Sequence, residues 1–190
     1  MKYYQIAALA LLCIFYITYI AKMLLLKKQG IKGSILGKNA LEKALLIVTY
    51  GGAAVQFLSA LFPNLIWGFP SFLTMHEDGL ILMLFGVGAF IAAVANMQNN
   101  WRAGFNNEQN TKLVTHGVYQ FSRNPAFVGF DLLYIGCAFV FPNVLNIAIT
   151  LFALVLFHLQ ILSEERFLVL QFGEEYSAYC KKVMRYFGRR

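Results

Sequence analysis

Charged residues are scarce: they make up 13% of the 190-residue chain, against about 25% in a typical soluble domain. That scarcity excludes an ordinary water-soluble domain with a polar shell. Cysteine is rare as well. Cys13, Cys137 and Cys180 are odd in number and share no Cys-x-x-Cys or histidine-pair spacing, so they imply neither a disulfide framework nor a metal site. Each reads as a small buried apolar side chain. No Gly-x-Gly-x-x-Gly, Walker loop, His-Glu-x-x-His or nucleophile elbow occurs. Any cofactor must therefore be held by something other than a soluble nucleotide fold. Internal repeats and low-complexity tracts are missing too.

What the chain has instead is apolar sequence, 59% of its residues, gathered into blocks near the length of about 20 that lets a helix cross a bilayer. Five spans are expected: Tyr3 to Leu26, Leu41 to Phe62, Gly79 to Met97, Ala126 to Phe141 and Val144 to Ser163. Each is helical because unpaired backbone in lipid is too costly, and nothing alternates like a barrel strand. The first is too long for a cleaved signal peptide, and Lys22, Lys27 and Lys28 follow it. Pro142-Asn143 is so short a link that the last two spans must form a tight antiparallel hairpin. The reading is an all-α polytopic membrane protein with one domain over residues 1–190. It divides into a three-helix part over 1–98 and a part over 99–190 that carries the chemistry.

A net charge of +7 could suggest nucleic acid, but the basic residues cluster at the ends of apolar spans rather than on one soluble face. Nucleic acid is not an expected partner. Of the 16 basic residues only Lys2 falls on the side of the Pro63–Asp78 loop. The other side is cytoplasmic by the positive-inside rule, with the N-terminus outside and the C-terminus inside. That places the polar segments Asn96–Pro125 and Glu164–Arg190 in one compartment. Tyr176, Tyr179, Cys180, Val183 and Phe187 recur at helical spacing beside Lys181, Lys182 and Arg185, which predicts an amphipathic C-terminal helix.

Arg123-Asn124-Pro125 opens the fourth span, where proline suits a first helical turn and Asn124 could cap it. A helix start with an anchor charge would account for this much. Gly117-Val118-Tyr119 upstream adds backbone N–H groups that can hold a polar or anionic group. Glu164-Glu165 lie at the inner end of span five, before an expected helix stop at Phe172-Gly173. Two acids at headgroup level need partners, and Arg123, Arg185 or a cationic ligand would serve. Arg185 could rest near anionic lipid or grip a carboxylate with its planar fork. Asp131 and His158 are ionisable groups inside the last two spans and functional candidates by default. With Tyr134 one turn from Asp131, a structural hydrogen-bond network stands beside a substrate contact. Trp101 reads as an interfacial anchor.

Taken in order, Leu113-Val114-x-x-Gly117-x-Tyr119, Arg123-Asn124-Pro125, Glu164-Glu165, Phe172-Gly173, Tyr176, Tyr179 and Arg185 resemble one family. It is the isoprenylcysteine carboxyl methyltransferase family of integral membrane methyltransferases, with the related phospholipid methyltransferases. The match covers about Asn99 to Phe187. The resemblance implies S-adenosylmethionine bound on the cytosolic side and a lipid or prenylated substrate entering from the bilayer. It implies a cofactor site made by Leu113, Val114, Gly117, Tyr119, Arg123, Asn124, Pro125, Glu164, Glu165, Tyr176 and Tyr179. Arg185, Glu164 and Glu165 would act in catalysis, without metal. The leading activity is carboxyl O-methylation of an isoprenylcysteine-like acceptor, with lipid-amine N-methylation as the alternative. A sterol-type NADPH reductase and a non-enzymatic scaffold are further alternatives. Asn124 stands where the family has histidine, which removes any imidazole role. Gly188 stands where proline is usual, which should loosen the end of the tail.

Overall fold

A computed structural model describes residues 1–29, 37, 39–63, 65, 75–98 and 112–189. Trp101 and Arg102 lie outside them. Among the described residues five α-helices follow in order: α1 Tyr3–Lys28, α2 Ala40–Leu61, α3 His76–Met97, α4 Pro125–Val140 and α5 Val144–Lys182. A short 3-10 turn, Gly117–Gln120, precedes α4. Among the described residues, extended pairing is limited to an isolated bridge between Val183 and Arg189. Helices α1, α2, α3 and α5 are long and apolar enough to cross a membrane. At 16 residues, α4 extends about 24 Å at 1.5 Å per residue, short of the roughly 30 Å hydrocarbon core.

Local chemistry sets the helix ends. Asn39 caps α2 by accepting from the Glu42 N–H at 2.8 Å, and Asn143 caps α5 by accepting from Asn146 at 2.8 Å. Pro125 starts α4, where its missing N–H costs nothing. Only Phe141, Pro142 and Asn143 separate α4 from α5. Helix α5 was expected to stop near Phe172-Gly173. Its backbone does break at Gly173 (φ 52°, ψ −120°), but the helix resumes and runs to Lys182.

The closest helix pair is α3 against α4. Gly79 faces Gly136 and Gly86 faces Gly129, so that glycines seven residues apart meet in two places. A Cβ on Gly86 would stand 2.8 Å from the Gly129 carbonyl oxygen, and one on Gly136 would stand 2.6 Å from that of Gly79. Without side chains, the two backbones touch, which is how helices associate where lipid removes the hydrophobic drive. Beside this seam sits an aromatic core. Phe15 of α1 meets Phe90 of α3 at 4.4 Å and Phe130 of α4 at 4.8 Å, and Phe130 meets Phe157 of α5 at 5.2 Å.

Polarity runs opposite to that of a soluble bundle. Gln5, Gln56, Ser59, Asn143, Asn146 and Thr150 are buried, while Ile17, Ile47, Phe85 and Leu151 point outward and are more than half exposed. The buried groups pair across helices: Tyr16 donates to Gln56 Oε1 at 2.9 Å, Gln5 to the Ala60 carbonyl at 2.9 Å and Asn143 to Ser59 at 3.1 Å. An apolar exterior over a hydrogen-bonded interior is what a lipid solvent selects.

Candidate functional site

The site is assembled where the turn before α4 meets the far end of α5. His116 is extended and Gly117 swings to φ 62°, which lets the chain enter the 3-10 turn. Asn96 of α3 packs directly against Gly117, leaving no room for a Cβ. We expect Gly117→Ala to cost about 1–2 kcal/mol from the left-handed conformation alone, with the Asn96 collision added. A fall in the thermal midpoint of the detergent-solubilised protein measures it; an unchanged midpoint would show that the turn can rearrange freely.

The other half comes from α5 and the tail. The amphipathic helix expected to carry Arg185 and Phe187 ends at Lys182. Beyond it the chain folds back, because its backbone groups find partners in the turn. Arg123 N–H donates to the Met184 carbonyl at 3.1 Å, and Gly188 N–H to the Phe121 carbonyl at 2.7 Å. Gly188 therefore ties the tail down instead of loosening it. Its φ of 125° suits glycine, and proline would lack the donated hydrogen. Tyr179 fastens the same junction by donating to the Tyr119 carbonyl at 2.5 Å.

Glu165 sits at the centre, buried. Its Oε1 accepts from Arg123 Nε at 3.1 Å, Arg123 Nη2 at 2.9 Å and Asn124 Nδ2 at 3.1 Å. Its Oε2 accepts from Arg185 Nε at 3.0 Å and Nη2 at 2.9 Å. Burial alone would push this carboxyl up, but the hydrogen bonds from Arg185, Arg123 and Asn124 outweigh it and hold Glu165 below the usual carboxylate range. Arg123 spends its remaining nitrogen, Nη1, on the Cys180 and Val183 carbonyls at 3.3 and 3.1 Å, satisfying the end of α5. Its side chain is 9% exposed, against 38% for Arg185. Arg185 keeps its Nη1 side outside the pairing. Asn124 stands at the N-cap of α4 but makes no side-chain cap. The amide is spent on Glu165 and on the Arg185 carbonyl, at 3.1 Å each.

Glu164 points elsewhere, since successive helical residues diverge by about 100°. It is half-buried and accepts from Gln160 Nε2 at 2.9 Å. Burial pushes its carboxyl up to about 7, with Gln160 opposing. Its charge reaches Tyr119, whose hydroxyl is pushed up by burial first and then by the Tyr179 and Glu164 charges. Leu113 packs against the cluster of Tyr176, Tyr179 and Val183, and Val114 against Ala93 and Tyr119. These two are packing residues of the site wall.

The structure thus joins Arg123, Asn124, Glu165 and Arg185 directly, with Tyr119, Tyr176 and Tyr179 around them. Gln160 and Asn96 escaped the sequence reading, although Gln160 precedes Glu164 by one helical turn. Of the two readings of Asp131, the network with Tyr134 does not form: the Tyr134 hydroxyl donates to the Val48 carbonyl at 2.9 Å, and Asp131 Oδ1 is buried with no partner among the described residues. A cleft of about 550 Å³ lies along the far side of the tail, lined by Thr115, Gln120, Glu175, Lys182 and Arg189 among others. Tyr179 and Val183 line it as well, and neither Glu165 nor Arg123, Asn124 or Arg185 does.

Residues 74–175 match the family described as phospholipid methyltransferase. The chain belongs to that family. Three relatives extend the likeness. A probable protein-S-isoprenylcysteine O-methyltransferase of Oryza sativa subsp. japonica is 40% identical over 77 residues, 40% of each chain. The Schizosaccharomyces pombe protein-S-isoprenylcysteine O-methyltransferase is 40% identical over 74 residues, 37% of this chain and 30% of its own. The Homo sapiens enzyme of that name is 30% identical over 135 residues, 69% of this chain and 48% of its own. The chain therefore spans less than half the length of these relatives.

Proposed function

We propose that this chain transfers the methyl group of S-adenosylmethionine to a lipid-borne acceptor at the cytoplasmic face of a membrane. In this reading α4 is a fifth crossing, paired with α5, and the N-terminus faces out. The observation that carries the reading is the arrangement of charge around Glu165. Two arginines are fixed by one carboxylate, and a second, half-buried carboxyl lies beside them. The donor brings an ammonium, a carboxylate and a sulfonium, and groups of both signs are present to meet it.

Bound there, the donor would supply an electrophilic methyl group. Glu164 would face its cationic portion, the open side of Arg185 its carboxylate, and Tyr119 with Gly117 would line the wall. Glu165 would hold Arg123 and Arg185 in place rather than touch the ligand, since both of its oxygens are taken. In-line displacement needs mainly alignment and exclusion of water. A reduced nicotinamide dinucleotide suits the site poorly. Its several phosphates need free arginines, and Arg123 is wholly spent within the cluster.

For the acceptor, the relatives' names favour the carboxylate of an isoprenylcysteine-like compound, an anion that needs no base. A lipid amine is the second reading, favoured by the unpaired Asp131 carboxyl.

Glu164 provides a test. An acid whose pKa is raised to about 7 is largely protonated in the free protein at pH 6.5 and ionised at pH 8.5. A cationic ligand beside it favours the charged form, so binding should release most of one proton at pH 6.5 and almost none at pH 8.5. Titration of S-adenosylhomocysteine in two buffers of different ionisation enthalpy reads this directly, and Glu164→Gln should abolish the difference. Binding without proton release at either pH would remove Glu164 from the site.

A further inference from the structure

We propose that Asp131, His158 and Tyr186 form a proton-accepting subsite at a bilayer-facing mouth between α4 and α5, giving the chain activity on acceptors whose nucleophile still carries a hydrogen. The inference rests on the methyl-transfer reading and names the class of acceptor.

The three residues come from three segments. Asp131 follows Pro125 by six residues on α4, and His158 precedes Glu164 by six on α5. At 1.5 Å per residue both lie about 9 Å nearer the bilayer centre than the charged cluster. Tyr186 hangs from the tail directly after Arg185 and reaches this level: its hydroxyl pairs with His158 Nδ1, and the two rings stack with centroids 6.1 Å apart. Tyr186 also lies within range of the Asp131 charge. Burial first and that charge second push its hydroxyl up, Arg185 opposes, and Glu165 adds to the rise. Among the described residues, the charged groups acting on Tyr186 are Asp131 from α4, Glu165 from α5 and Arg185 from the tail.

Two features mark the cluster as more than packing. Asp131 Oδ1 is buried without a hydrogen-bond partner among the described residues, an arrangement expensive in a membrane interior unless it has a use. Tyr186 is 39% exposed and His158 half-buried, so the group opens outward and not into the sealed core. In the tautomer whose Nδ1–H is donated to the Tyr186 oxygen, His158 Nε2 carries the free lone pair the subsite requires. The acceptor's O–H or N–H bond breaks and its proton passes to Nε2. The freed electron pair forms the bond to the methyl carbon as the carbon–sulfur bond breaks, and that bond's pair stays on sulfur. Asp131, across Tyr186, offsets the charge gained by His158. A carboxylate acceptor is already ionised and has no need of this group. An ammonium or a neutral hydroxyl does need it.

The test uses the full chain in lipid nanodiscs and three probes that share a farnesyl chain ending in an amine, a phenol or a carboxylate. Positioned bases contribute about 10²–10⁴-fold. We therefore expect Asp131→Asn and His158→Gln each to lower methylation of the amine or the phenol by about 100-fold. The carboxylate should change less than about threefold, and S-adenosylhomocysteine affinity should not move. Without donor, Asp131→Asn should weaken binding of the amine by about tenfold and leave the carboxylate unaffected. Turnover of the amine alone assigns an ammonium head group; turnover of the phenol alone assigns a hydroxyl. Equal losses on all three probes would reduce the cluster to packing and overturn the proposal. Methylation of the carboxylate alone by the unaltered chain would overturn it while sparing the methyl-transfer reading. A chain that binds no S-adenosylhomocysteine would sink both.

Discussion

Glu165→Ala should destabilise the protein by about 3–5 kcal/mol, the penalty for breaking a buried ion pair by removing one partner. The reason lies in what is left behind. Arg185, more than a third exposed, can turn to water, and its loss of a partner costs little once solvent screening is counted. Arg123 cannot turn, because its side chain is 9% exposed and its Nη1 remains bonded to the Cys180 and Val183 carbonyls. The penalty is therefore concentrated at Arg123. Adding Arg123→Met to Glu165→Leu should recover part of the stability, since apolar replacements of a buried pair are often tolerated. It should not restore S-adenosylhomocysteine binding. Arg185→Ala should abolish that binding and lower the thermal midpoint by less than Glu165→Ala does, because Glu165 Oε2 loses both of its donors while Oε1 keeps Arg123 and Asn124. Chemical or thermal unfolding beside calorimetry separates these effects. A stable, ligand-binding Glu165→Ala protein would remove the cluster from both fold and site.

The second large effect is expected at the α3–α4 seam. Gly129→Val places a side chain 2.8 Å from the Gly86 carbonyl oxygen and 2.9 Å from the Phe90 nitrogen, both of them backbone atoms that cannot step aside. The helices must separate, which breaks the Gly79–Gly136 contact and loosens Phe130 against Phe90. Overpacking of a rigid core costs about 1–3 kcal/mol, and a backbone-to-backbone contact belongs at the upper end. Gly88→Val is the matched control, because a Cβ on Gly88 meets nothing within 4 Å. Its midpoint should move little, with Val entering a lipid-facing helix. Equal effects at the two positions would mean that helix propensity, and not the seam, decides.

The helices were legible because lipid allows so few alternatives. Apolar blocks of the right length, punctuated by Pro125 and by the Pro142-Asn143 link, leave helices as the one fold that satisfies the backbone. The motif residues were legible as a set, but their pairing was not. Glu164 and Glu165 are adjacent in sequence, and nothing there says that one would be saturated by Arg123 and Arg185 while the charge of the other reaches Tyr119. Helical geometry makes that division. The glycine seam escaped for a related reason: a seven-residue spacing on α3 means little until the same spacing on α4 lies opposite. One-turn spacing leaves Asp131 open to a network with Tyr134 or to a substrate contact, and only the fold shows Tyr134 reaching across to Val48 of α2. Gly188 misled in the other direction. Its freedom at φ 125° lets the tail close onto Phe121 instead of leaving it loose.

The central claim is a donor site for S-adenosylmethionine between the turn before α4 and the end of α5. Its most direct test is calorimetric titration of detergent-purified protein with S-adenosylhomocysteine, with NADPH as comparator. The account predicts saturable binding of the thioether, none of NADPH, and loss of binding in Arg185→Ala but not in Lys38→Ala. Binding of NADPH alone, or of neither compound by demonstrably folded protein, would contradict it.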